Sequence, residues 1–230
     1  MFTRKLIWAM VAMLTSATAF AQKYEKGVIY TAKGDSLTGF IEKKLLSTNS
    51  PEAIHFKSSK EGEVVTYLPT MVKGFKYTDL NETFISQELT LDLTSQKLED
   101  LKNRAQQTRD IQKKTVFIQL LLEGQTKLYV YNWGNNIDYF ILQDEVKQFY
   151  PLDNLVEYEG VRRFSNQQSQ QELLTTIPVY KGALKRVFNT CVSDKQLKPV
   201  RYTKKSLVEI IKKYEACQYG KDALRSIVEY

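Results

Sequence analysis

The sequence predicts an α+β chain, in which an antiparallel β-rich region, barrel-like or sandwich-like, is followed by C-terminal helices. Two observations carry this. Between residues 26 and 150, short β-branched and aromatic runs alternate with turn residues roughly every 8 to 12 positions, the spacing of a β-meander. After Phe164 the apolar residues instead recur at i, i+3, i+4 and i+7, the period of an amphipathic helix. A third observation removes the N-terminus from the fold. Arg4 and Lys5 precede an uncharged apolar run over residues 6–14, and Ala19-Phe20-Ala21 offers small residues where a signal peptidase reads. Residues 1–21 therefore read as a signal peptide, and the mature chain is expected to begin at Gln22.

The elements follow in order. Val28-Ile29-Tyr30-Thr31 is a strand, Lys33-Gly34-Asp35-Ser36 a turn, and Leu37, Gly39 and Ile41 open a partner strand, which together make a hairpin. Residues 53–57 and 64–68 are further strands, and Pro69 ends the second because it has no N–H to donate. Val72–Tyr77 and residues 83–88 continue the series. Residues 95–114 are rich in Gln, Lys, Asp and Arg, with Leu98, Leu101 and Ala105 at helical spacing, and predict a polar helical insertion with a solvated face. Strands resume over 115–123, 127–133, 137–142 and 146–150. Residues 166–171 read as a loop or helix start. Tyr180, Leu184, Val187, Phe188 and Cys191 then mark one helix after Pro178, and Leu207, Ile210, Ile211, Tyr214 and Cys217 a second, capped by Ser206 with Glu209 or by Thr203. Leu224, Ile227 and Val228 suggest a short third. The expected organisation is a signal over 1–21, a β-rich domain over 22–164 and a helical region over 165–230.

The full chain carries 33 Lys and Arg against 26 Asp and Glu, a net charge of +7. Arg4 and Lys5 leave with the signal, which makes the mature charge +5. For an exported chain this excess favours anionic envelope surfaces over nucleic acid, and no nucleic-acid partner is expected. The apolar N-terminal run is shorter than the about 20 residues a membrane span needs, and no later run approaches that length. The first cysteine, Cys191, lies far from the cleavage site, so no lipid anchor is expected.

Cys191 and Cys217 are the only cysteines, both on apolar helical faces of a chain bound for an oxidising compartment. They are expected to form a disulfide that pins the C-terminal helices. A single histidine, His55, sits between Ile54 and Phe56 in a strand pattern, the setting of a sheet-face side chain rather than of a catalytic base. No catalytic residue, metal site or cofactor motif is expected, since there is no Cys/His cluster, phosphate loop or dinucleotide fingerprint. The carboxylates Asp92, Glu99, Asp100, Asp138, Asp144 and Glu145 form no diagnostic pair by spacing. Tyr129, Tyr131 and Trp133 alternate along one strand and so share a face, which Tyr139 is expected to join. That face is either half of the core, turned to the helices, or an exposed platform for sugar rings or a partner's apolar side chain.

The run from Gly27 to Ile41, with Lys33-Gly34-Asp35-Ser36-Leu37 and Gly39, resembles the opening of a family of exported proteins common in Bacteroidota. Gly124 followed by Leu128-Tyr129, and the closing Lys212-Lys213-Tyr214-Glu215-Ala216-Cys217, resemble later parts of the same family. Some of its members continue into an outer-membrane β-barrel. The resemblance implies a compartment, the periplasm or the outer-membrane surface, and carries over no catalytic residue. The functional expectation is a non-enzymatic module that binds another envelope component, a protein or a glycan. The alternative is a glycan-binding or glycan-processing protein.

Overall fold

The computed structural model describes residues 23–43, 47–104, 108–163, 170–226 and 228–229. The expected signal peptide lies outside the described residues, as do Ala105, residues 166–169 and Ile227.

Among the described residues ten strands form one antiparallel sheet: β1 Lys23–Thr31, β2 Ser36–Lys43, β3 Ile54–Lys57, β4 Val65–Tyr67, β5 Val72–Tyr77, β6 Glu82–Asp92, β7 Ile111–Glu123, β8 Thr126–Trp133, β9 Asn136–Gln143 and β10 Gln148–Leu152. Their order across the sheet is β10-β9-β8-β7-β6-β5-β1-β2-β3-β4. The opening hairpin depends on two glycines. Gly34 takes φ +99° in the turn, a conformation costly to any residue with a Cβ. At Gly39 a Cβ would collide with the Lys57 carbonyl oxygen and the Phe56 ring, so that ring, which belongs to the residue opposite Ile41, can reach over Gly39 only because the side chain is missing.

Alternation along β6 and β7 gives the sheet a core on each face. Phe84 and Phe117 point to one side, where they join Ile29, Ile41, Phe56 and Phe75 of the curled N-terminal strands. Val116 and Ile118 point to the other side and meet Leu89, Leu91, Tyr129 and Phe140. A third core lies on the outer face of β8 and β9, where Leu128, Val130 and Ile141 receive the helices. Burial of each such side chain stabilises the fold by about 1.5–3 kcal/mol.

A separate antiparallel ribbon follows, β11 Leu155–Arg163 and β12 Gln170–Ile177. Then come the helices α2 Val179–Phe188, α3 Asp194–Leu197 and α4 Lys204–Gln218, preceded in the chain by the five-residue α1 Leu98–Lys102. Pro178 stands at the start of α2, and Thr203, rather than Ser206, caps α4 by accepting from the Ser206 N–H (3.4 Å). A last strand, β13 Val228–Glu229, adds to the end of β7. Among the described residues no helix is long and apolar enough to cross a membrane.

The α+β order matches the sequence. Four local expectations do not. The insertion at 95–114 is helical only over Leu98–Lys102, and residues 111–114 belong to β7, paired with Leu89–Asp92 of β6. Ladder pairing and an ion pair between Lys113 and Glu88 (2.7 Å) outweigh the helix-like composition there. Gln170 and Gln171, expected in a loop or helix start, open β12, a strand within the region expected to be helical. In place of a third helix the chain ends in a 3-10 turn over Lys221–Ser226 and then β13. Strand β10 also runs through Pro151, tolerated because it is the end strand of the sheet.

Candidate functional site

Cys191, in the turn after α2, and Cys217, in α4, form a disulfide with a Cα–Cα distance of 5.6 Å. It ties the end of one helix to the last turn of the other.

The aromatic strand divides between two faces. Tyr129 is 4% exposed and packs against Phe149 at 5.4 Å between ring centres. Tyr131 shares its face and is half-buried. Tyr139 does not join them: it lies opposite Val130 across the β8–β9 ladder, faces the helices, and meets the Tyr202 ring edge-on at 5.0 Å. The face of Tyr129 is therefore core, but turned towards β6 and β7 and away from the helices, contrary to the expected direction. Trp133, at the strand end, is half-buried and donates its Nε1–H to Asp138 Oδ2 at 2.6 Å.

That contact sets the state of Asp138. Burial pushes its pKa up, the Trp133 hydrogen bond holds it down, and the neighbouring Asp153 and Asp92 push it up again, to about 6. Burial also raises Asp92, but hydrogen bonds from Arg109 (2.5 Å) and Thr94 outweigh this and hold it below the usual range. Asp138 thus binds a proton more tightly in the folded chain than in the unfolded one. Its contribution is greatest below the unfolded pKa near 4 and is lost as pH rises to about 6, a loss of about 2–3 kcal/mol. Asp138→Asn keeps an acceptor for Trp133 and removes the titration. Chemical denaturation is expected to find this variant more stable than wild type at pH 7.5 by about 2 kcal/mol, with the gap closing towards pH 4.

A concavity lies elsewhere among the described residues. β7 pairs with β6 over residues 111–119 but with β8 only over 119–122, so β7 and β8 part beyond Gln119 and Val130. Ser50 bridges to the freed part of β8. Its N–H donates to the Asn132 carbonyl (2.8 Å), and its hydroxyl accepts from the Asn132 N–H (3.0 Å). A cleft of about 550 Å³ opens beside this bridge, lined by the loop over 47–53 and by Glu42, Lys43, His55, Glu82, Gln119 and Asn132. Lys43 Nζ bonds both carboxylate oxygens of Glu82 at 2.8 Å, and the Tyr77 hydroxyl donates to the Glu42 carbonyl at 2.8 Å. His55 Nδ1 lies 2.9 Å from Thr66 Oγ1, and its Nε2 lies 3.8 Å from Glu42 Oε2. Among the described residues three carboxylates, Glu42, Glu52 and Glu82, line the cleft with one ammonium, Lys43. With His55 counted as neutral, those described groups sum to −2 on a chain that is basic as a whole.

The lining residues are held by hydrogen bonds and one ion pair. Both cysteines are bonded to each other, and no group of three His, Cys, Asp or Glu among the described residues is placed to hold a metal. Of the cleft residues the sequence reading singled out only His55. The return of the run Ser47-Thr48-Asn49-Ser50-Pro51 to β8 depends on the parting of β7 from β8, which no local pattern encodes.

Glu215 is a second residue that spacing conceals. It is fully buried on α4 and accepts a hydrogen bond from the Thr126 N–H at the β7–β8 turn, where its carboxyl also lies against Gly124. Burial raises its pKa, opposed by the hydrogen bonds from Thr126 and Gln125. The β7–β8 turn at Gly124 and the last turns of α4 at Glu215 therefore meet in space. Compared with protein-family models, with curated proteins and with solved structures, the chain finds no match.

Proposed function

We propose that this chain is an exported, non-enzymatic binding module of the cell envelope, in the periplasm or at the outer-membrane surface, and that it holds another envelope component in the cleft between β7 and β8. The observation that carries this is the cleft itself, where residues from six strands and one loop converge on a concave polar surface. The non-enzymatic reading is supported by the state of its charged groups. Glu82 is bound by Lys43, and Glu42 stands beside His55, so two of the three carboxylates have a nitrogen-bearing partner. A glycan ligand is favoured as the second reading by the hydroxyls and amides of Ser47, Thr48, Asn49, Ser50, Gln119 and Asn132. Buried Tyr129 and Tyr139 leave no continuous aromatic platform on β8 and β9, so the cleft replaces that face as the place of contact.

A photo-crosslinking residue placed at Asn49, in cells exporting the protein, tests the reading. A discrete adduct is expected from Asn49 and none from the exposed Lys113 on β7. Equal labelling at both positions, or no adduct from Asn49, contradicts a binding cleft.

A further inference from the structure

The two ends of the sheet differ. β10 contains Pro151, which interrupts its donor row, and α2 packs beside it, with the Tyr180 N–H donating to the Asp153 carbonyl (2.7 Å) just past the strand. β4, at the other end, pairs with β3 alone among the described residues, through Ile54 with Tyr67, His55 with Thr66 and Phe56 with Val65. Its outer backbone edge faces no ladder. Natural edges are guarded by a charge, a proline, a bulge or a covering element, because an unguarded edge pairs with another chain. Val65-Thr66-Tyr67 has neither charge nor proline, and Pro69 lies beyond the strand end. Val64, Val65, Leu68 and Met71 are each 47–51% exposed, so four large apolar side chains lie open within eight positions.

We propose that β4 pairs antiparallel with β4 of a second copy of this chain, about a two-fold axis at Thr66. The sequence is complementary to itself about that axis. Val65 comes opposite the partner's Tyr67, and Val64 opposite the partner's Leu68, so apolar meets apolar on both sides of Thr66. Glu63 comes opposite the partner's Pro69 and Glu61 opposite the partner's Met71, so no acid meets an acid. Such an interface is isologous and closes at two subunits, joining the two sheets edge to edge. The pairing is short and is expected to be concentration-dependent.

Sedimentation velocity on the chain starting at Gln22 is the first test. A dimer fraction that rises with concentration is expected, and Val65→Lys, an exposed substitution that should leave the thermal melt unchanged, is expected to abolish it. The second test reads the register. The native cysteines are bonded to each other, so Thr66→Cys supplies the sole free thiol. A short bis-maleimide should link Thr66→Cys into dimers at least tenfold faster than Glu88→Cys, which is exposed on β6. A wild-type chain that stays monomeric throughout, a Val65→Lys dimer, or equal linking rates for the two thiols would overturn the proposal. The sedimentation outcomes do not bear on the cleft, which Val65 does not line.

Discussion

Tyr129→Ala is expected to lower folding stability by about 3–5 kcal/mol, and Trp133→Ala by clearly less. Tyr129 is buried against Phe149 and shares a core with Leu89, Val116, Ile118 and Phe140. Truncation leaves a cavity that the flanking β6, β7 and β9 strands cannot collapse into, because their ladders hold them in place. Trp133 is half-buried at the strand end, and its removal costs a rim contact and the hydrogen bond to Asp138. Urea denaturation of the two variants side by side checks this. Equal losses, or a larger one for Trp133, would show that the strip is buried along its whole length.

Removing the disulfide is the second large effect. Cys191 and Cys217 are separated by 26 positions, and in the chain-entropy model a link over that span stabilises by about 3–4 kcal/mol. The double variant Cys191→Ser with Cys217→Ser is expected to lose about that much. The loss should start in the last turns of α4, where Tyr214 stacks on Phe188 at 4.4 Å and Glu215 reaches the β7–β8 turn. Hydrogen exchange should show faster exchange at Thr126 in that variant than in wild type. A melt within error of wild type, with thiols that alkylate without reductant in the parent chain, would contradict the link.

What could be read from the sequence was local and periodic. Val72–Tyr77 announces itself by composition, α4 by Leu207, Ile210, Ile211 and Tyr214 on one face, and the disulfide by two cysteines on apolar stripes. What could not be read depends on partners distant in the chain. Lys113 and Lys114 look helical until β6 extends far enough to pair them. Tyr139 looks like a neighbour of Tyr129 until the register sets it opposite Val130. The cleft is the clearest case, since Ser50 and Asn132 are 82 positions apart and meet only because β8 leaves β7 early.

A chain beginning at Gln22 has one tryptophan, Trp133, adjacent to Asn132 in the cleft wall. Its emission, followed while cell-wall glycan fragments released by muramidase, and separately a soluble envelope extract, are titrated in, is the most direct test of the binding cleft. The account predicts a saturable change with at least one of the two, weakened by Gln119→Ala and Asn132→Ala, with the fragments recovered unaltered. No change with either, a change indifferent to both substitutions, or hydrolysis of the fragments would contradict it.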